Sequence, residues 1–319
     1  MALTGLRNDT LKLILFGGKG GVGKTTCAAS AGLYLANYFK TLLFSTDPAH
    51  SLSDSLGRKI GDEIRSVRCL SMGIKGVENL YALEVNAEKA LSEFKIEYEG
   101  QIKKILDTST YLDQEDIDSI FALPIPGMDE VMGFKTIVDL TESGNFDKYI
   151  VDTAPTGHAL RLLSLPELLD EWIKVMAKMR WKYRYMVESF AGTYRPDEGD
   201  DFLVDMKKTV KKIENILKDK NKCEFIAVTI PEEMAILETE RLVNSLRRYG
   251  ITVRQLIINN VVESRDCAFC RERKKEQSGY ISKIRKKFSG LEITEIYLQP
   301  HEVNGIDRLN HFSKLLFEQ

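Results

Sequence analysis

Short apolar runs alternate along the chain with longer stretches in which apolar and polar residues recur at helical spacing. The runs at 11–16, 41–45, 80–85, 149–151, 224–228, 255–258 and 293–298 predict strands. Several are hydrophobic at every position, as in Leu13-Ile14-Leu15-Phe16. A strand of that kind has no polar face for solvent and belongs in a parallel sheet covered by helices on both sides. Amphipathic stretches at 25–38, 233–248 and 306–317 predict the covering helices. The order predicts an α/β fold with a mostly parallel, doubly wound sheet.

Two stretches, about 87–140 and 165–205, break the alternation: both are helical in pattern with no clear strand. They predict an α-helical subdomain inserted into a single domain spanning 1–319. Residues 192–201 (GTYRPDEGDD) read as a mobile loop, being polar and rich in Gly, Pro and Asp.

Composition narrows the function classes. Lys and Arg number 45 and Asp and Glu 47, a net charge of −2. That balance argues against wholesale binding to nucleic acid or an anionic membrane. Residues 1–10 hold no apolar run of signal-peptide length, and no apolar stretch approaches the ~18 residues of a membrane span. Five cysteines are odd in number and too few for a disulfide scaffold. A soluble, cytoplasmic protein is expected.

The candidate chemistry begins at Gly17-Gly18-Lys19-Gly20-Gly21-Val22-Gly23-Lys24-Thr25-Thr26, between a predicted strand and a predicted helix. The segment fits G-x-x-x-x-G-K-[ST]. Glycines let successive backbone N–H groups turn inward to form an anion nest at a helix N-terminus. Lys24 can neutralise the β- and γ-phosphates and the Thr25 hydroxyl can ligate Mg²⁺, so ATP with Mg²⁺ is the expected ligand. Lys19 is a second cation at a position the general pattern leaves free. It is either a solvated loop lysine or a further phosphate contact delivered across a dimer interface.

Asp47 and Asp152 each follow an apolar strand, and the carboxyl ends of parallel strands are where ligands bind. A lone Asp there is usually an N-cap or Asx-turn; two beside one phosphate loop point to water activation and metal hydration. Cys267-Ala268-Phe269-Cys270 supplies two thiolates, whereas a structural zinc takes four ligands. A twofold dimer would complete the count; a redox dithiol and two plain thiols are the alternatives. Cys27, Cys69 and Cys223 have no paired spacing.

Lys19, the segment TDPAHSLSD (46–54) and the segment DTAPTGHALRLL (152–163) together resemble the deviant-Walker ATPase family. It contains the arsenite-pump ATPase and the cytosolic ATPase that targets tail-anchored membrane proteins. The resemblance covers nearly the whole chain. It implies that Lys19 reaches the partner subunit's phosphates and that Asp47 polarises the hydrolytic water, with Asp152 in a second switch. It assigns His50 and His158 structural or switch roles, and Glu232 and Asn259 contacts to the nucleoside. Segment 299–305 resembles the family's adenine loop, except that Tyr297 stands where the family usually has proline. It also implies a zinc ion shared between subunits through Cys267 and Cys270.

A single phosphate loop favours the targeting branch over the pump, which is usually a tandem duplication. That branch implies a homodimer, the hydrophobic transmembrane segments of tail-anchored proteins as clients, a membrane receptor, and no nucleic acid. Met128, Met132, Met176, Met179 and Met186, with Leu168, Leu169, Trp172, Ile173, Val175, Trp181, Tyr183 and Phe190, are candidate client contacts; ordinary core is the plain alternative. Basic residues at 271–275 and 283–287 read as a solvated helix face or a docking stripe for an acidic partner. Two competitors remain: a metalloid-efflux ATPase subunit responding to As(III), and a partition or positioning ATPase, which shares the loop but not the CxxC or the helical insertions.

Overall fold

The computed structural model describes residues 3–47, 51–68, 77–109, 115–117, 128–153, 156–263 and 267–318. Its strands are β1 (Leu13–Gly17), β2 (Thr41–Ser45), β3 (Arg65–Ser66), β4 (Leu80–Glu84), β5 (Lys148–Asp152), β6 (Cys223–Thr229), β7 (Val253–Val261) and β8 (Glu292–Tyr297). They form an eight-stranded sheet in the order β3-β4-β2-β5-β1-β6-β7-β8. Neighbours are parallel except β3, which runs antiparallel to β4. β3 escaped the sequence reading because it is two exposed residues with no hydrophobic run to announce it.

The helices are α1 (Lys24–Leu35), α2 (Ser51–Leu56), α3 (Ala87–Ser109), α4 (Met128–Ser143), α5 (Thr156–Ala191), α6 (Glu198–Lys218), α7 (Glu233–Arg248), α8 (Ala268–Lys287) and α9 (Ile306–Phe317). β1, β2, β5 and β6 are buried at every position, as continuous apolar runs demand. Pleating sends alternate residues to opposite faces. Ile226 and Val228 join one core with Ala28, Ala31 and Leu35 of α1 and Leu309, Phe312 and Leu316 of α9. Ala227 joins a second with Ile236 and Val243 of α7 and Ile284 of α8. The small residues Cys27 to Gly32 leave α1 buried nearly all round. The Tyr34 ring stacks on Phe317 at 3.9 Å, tying α1 to the C-terminal helix.

The chain divides into two compact units. Met1–Asn86, Asp139–Leu160 and Ile216–Gln319 carry the sheet, and Ala87–Val138 with Arg161–Asn215 form a helical unit. Within the helical unit, Phe94, Ile102 and Ile105 of α3, Ile173 and Met176 of α5, and Phe202, Met206 and Val210 of α6 are buried. The rings of Tyr98, Phe94 and Phe202 form a triangle, Tyr98 lying 4.9 and 5.0 Å from the other two.

Two expectations change here. Segment 192–201 is not a loop throughout, because α6 already begins at Glu198. Asp197 Oδ1 accepts the Gly199 N–H at 2.9 Å, and Glu198, Asp200 and Asp201 put negative charge in the first turn, where the helix dipole favours it. Met176 and Ile173 are core residues, only 4% and 5% exposed, and not surface for a client. Among the described side chains, the well-exposed apolar residues of α5 are Val175, Trp181, Tyr185, Met186 and Phe190.

Candidate nucleotide site

The carboxyl ends of the adjacent strands β2, β5, β1, β6 and β7 each deliver one of the groups singled out above. Asp47 lies two residues beyond β2, Asp152 closes β5, and the phosphate loop leaves β1. Glu232 follows β6, and Asn259 sits near the end of β7. This is the rim at which parallel sheets bind ligands.

The loop owes its path to two glycines in particular. A Cβ on Gly18 would lie 2.1 Å from the Val228 carbonyl oxygen of β6, so the loop runs against the strand with no room for a side chain. Gly23 has φ +91, and a Cβ there would meet the Asn259 amide at 2.4 Å. A Cβ on Gly20 or Gly21 by contrast would meet no protein atom within 4 Å. Val22 is fully buried, and its carbonyl accepts the Asn259 Nδ2–H at 2.9 Å. α1 begins at Lys24 with no side-chain cap at Gly23, so the N–H groups of its first turn are left to an anion, as helix N-termini commonly are.

Lys24 folds over this loop, nearly buried, its Nζ donating to the Lys19 carbonyl at 3.4 Å. Burial lowers its pKa, against the pull of Asp152 and Asp47. The triphosphate would add the negative charge this cation is placed to meet. Lys19 is half-buried on the same loop.

Asp152 is fully buried. Its Oδ2 accepts from the Thr25 hydroxyl at 2.7 Å and from the Ser45 hydroxyl at 3.3 Å. Burial pushes the carboxyl up to about 6, although the Thr25 hydrogen bond and the Lys24 charge pull it down. Oδ1 has no hydrogen-bond partner. An orphaned carboxylate oxygen beside a threonine hydroxyl fits a hydrated divalent cation, which takes hard oxygen donors and keeps several waters. The Ser45 hydroxyl also accepts the Asp47 N–H at 3.1 Å, so one serine links both acidic segments. The Thr25 hydroxyl lies 3.4 Å from that of Ser51, at the start of α2. His50 lies outside the described residues.

Asn259 is buried, with one amide hydrogen committed to the loop and its Oδ1 without a partner. It therefore holds the phosphate loop to β7, with its second amide hydrogen and a buried acceptor oxygen not used in that bond. Glu232 pairs with Arg273 of α8 at 3.0 Å; both are well exposed, so the pair contributes about 1 kcal/mol or less. The basic stripe is in part structural. Lys283 pairs with Glu233, Lys287 with Glu240, and Arg285 with Glu295, joining α8 to α7 and β8.

Cys267 caps the N-terminus of α8, its sulfur accepting the Cys270 N–H at 3.1 Å. Hydrogen bonds from Cys270, with Arg271 nearby, lower its pKa and favour thiolate. Cys267 is exposed and Cys270 half-buried, so both thiols lie on one turn at the surface. Among the described residues no group of three or more His, Cys, Asp or Glu side chains could hold a metal, so these residues offer half of a tetrahedral set. Gln277 positions the helix. Its side chain accepts the Val262 N–H at 2.8 Å and donates to the Asn260 carbonyl at 3.2 Å, closing the end of β7.

Sequence reasoning missed Ser45 and Gln277. Ser45 carried a readable signal, a hydroxyl at the end of a buried strand two residues before a catalytic-type aspartate. Gln277 sits in a polar run where nothing marks it as the one buried side chain.

A Gly-rich anion nest between β1 and α1, faced by a carboxylate from β5 and another just beyond β2, makes this a nucleoside triphosphatase of the phosphate-loop class. The sequence matches the anion-transporting ATPase family over residues 11–318, and the chain belongs to that family. It is 36% identical to ATPase ASNA1 homolog 1 of Paramecium tetraurelia, over 98% of this chain and 94% of that one. It is 33% identical to ATPase GET3B of Arabidopsis thaliana, over 96% and 79% of the two chains. It is 30% identical to ATPase get3 of Pyrenophora tritici-repentis, over 98% and 92%. The protein is an ATP hydrolase. Among the described residues no helix is long and apolar enough to cross a membrane.

Proposed function

We propose that this ATPase is a cytoplasmic targeting factor that shields the transmembrane segment of a tail-anchored membrane protein and releases it after hydrolysis, on delivery to a membrane receptor. The observation that carries this reading is the outward side of α5. Val175, Met186 and Phe190, 51%, 47% and 88% exposed, share one stripe of the helix, and Trp181 and Tyr185, 66% and 65% exposed, lie on another side of it. A helix facing only water would carry polar residues there, and an apolar patch of this kind marks an interaction site. Unbranched methionine and flat aromatic rings adapt to apolar helices of varied sequence.

Two of the cysteines are closed to a metalloid. Cys27 and Cys223 are fully buried, and burial pushes both thiols far up, so neither offers a thiolate to As(III). Cys69 lies outside the described residues.

Loop amides and Lys24 hold the triphosphate, and Asp47 orients and polarises the attacking water. Thr25 and Asp152 would hold a hydrated Mg²⁺, which when bound would shield phosphate charge. Ser45 and Ser51 tie these groups to the segments after β2, so loss of the γ-phosphate is felt by both acidic segments. Lys19 reaches the partner's phosphates in a homodimer that also shares zinc through two copies of Cys267 and Cys270.

Changing Cys267 and Cys270 together to serine should remove about one zinc per dimer and shift the protein toward monomer, read by metal analysis and sedimentation. Unchanged zinc content and dimer fraction would count against the bridge. Met186→Asp with Phe190→Asp should cut recovery of a soluble complex with a transmembrane segment at least tenfold, with ATP affinity unaltered. Both positions are exposed, so the fold is left intact; undiminished recovery would remove this face from client binding.

A further inference from the structure

Helix α5 has apolar residues on more than one side, and this leaves its rotation undetermined by hydrophobicity alone. At about 100° per residue, Ile173, Met176 and Arg180 fall on one stripe, and Val175, Met186 and Phe190 on another about 100° away. The first stripe is buried and the second exposed. Both are hydrophobic enough to enter the core, so a turn of one residue position would carry the second stripe to where the first now lies and turn the first away from it.

Arg180 breaks the tie. Its side chain is 3% exposed, in a stripe otherwise apolar. Burying a guanidinium is unfavourable unless its hydrogen bonds are met by fixed acceptors. Here Nε and Nη2 reach Asp200 Oδ1 and Oδ2, both at 3.3 Å, and Nη2 also pairs with Asp197. The guanidinium lies 4.9 Å from the Tyr183 ring centre and 5.6 Å from that of Tyr194. The Tyr194 hydroxyl and the Asp197 N–H both donate to Asp200, and Lys104 of α3 pairs with Asp197 at 3.5 Å. These acceptors sit at the start of α6 and in the residues before it, and they can be met from one rotation of α5 only. A charged network of this kind selects one packing among several that apolar contacts would allow.

We propose that Arg180, held by Asp197, Asp200 and Tyr194, is a positioning residue that fixes the rotation of α5 and thereby selects Val175, Met186 and Phe190 as the client-facing residues. The choice of face rests on the targeting function proposed above; the pinning of the helix does not.

The test compares maleimide labelling of Val175→Cys and Met176→Cys, made in separate proteins and read by peptide mass spectrometry so that native cysteines are counted apart. With Arg180 present, position 175 should label at least tenfold faster than position 176. Arg180→Met, which keeps length and apolar bulk, should narrow that ratio to less than threefold. It should also lower recovery of a complex with a transmembrane segment at least fivefold, leaving ATP affinity and basal ATPase rate as they were. Arg180→Lys, with one cationic centre, should restore part of both. Should Arg180→Met fail to fold by circular dichroism, Asp200→Asn removes charge at constant volume and should narrow the ratio in the same direction. An unchanged ratio in a folded variant overturns the pin. A narrowed ratio with undiminished capture overturns its role in selecting the client face. Failure of the parent protein to capture any transmembrane segment overturns the targeting function instead, and the labelling ratio still decides whether Arg180 fixes the helix.

Discussion

Asp47→Asn should bind ATP as tightly as the parent protein or more tightly, and turn it over slower by on the order of a hundredfold or more. The substitution keeps the shape of the side chain and the N–H that the Ser45 hydroxyl accepts at 3.1 Å. Phosphate binding falls to Lys24 and the loop amides, which the change leaves in place. Removing a negative charge near a triphosphate favours its binding, hence the sign of the affinity effect. What is lost is the carboxylate that takes hydrogen bonds from the attacking water. Phosphate release under single turnover, beside ATP affinity measured with a fluorescent analogue, separates the two. Turnover within threefold of the parent would remove Asp47 from the chemistry, and equal losses of binding and turnover would make it a packing residue.

Gly18→Ala should remove ATP binding and hydrolysis together. A methyl group 2.1 Å from the Val228 carbonyl oxygen cannot be accommodated by a rotamer change, because the obstacle is the backbone of a buried central strand. The loop must move away from β6. Overpacking of this kind costs about 1–3 kcal/mol, and the displaced amides no longer converge on one point. Gly20→Ala is the control, since its Cβ would meet no protein atom within 4 Å. Thermal unfolding without nucleotide should show Gly18→Ala clearly less stable and Gly20→Ala near the parent. Equal stabilities would contradict the close approach of loop and strand.

The sheet and the phosphate loop were legible in the sequence because each leaves a local mark. Leu13 to Phe16 is apolar at every position because β1 is covered on both faces, and the glycines from Gly17 to Gly23 are needed where a backbone must pass close to a strand or turn with positive φ. Asp47 and Asp152 were legible from their place after apolar strands. Less visible were contacts whose meaning depends on another element. Met176 and Met186 are the same residue type on the same helix, yet one is core and one is surface; only the position of the inward stripe tells them apart. Asn259 read as a base contact, and its hydrogen bond to the Val22 carbonyl, 237 positions away in sequence, left no local mark. Arg180 gave no signal, because a basic residue in a helix of mixed pattern is ordinarily solvated, and its acceptors lie beyond a turn that itself read as loop.

Co-expression of the protein with a tagged C-terminal transmembrane segment tests the targeting function most directly. A soluble complex should be recovered with ATP present, be retained by Asp47→Asn, and be lost from the parent protein as ATP is hydrolysed. No soluble complex in any nucleotide state, together with an ATPase rate raised by As(III), would contradict it.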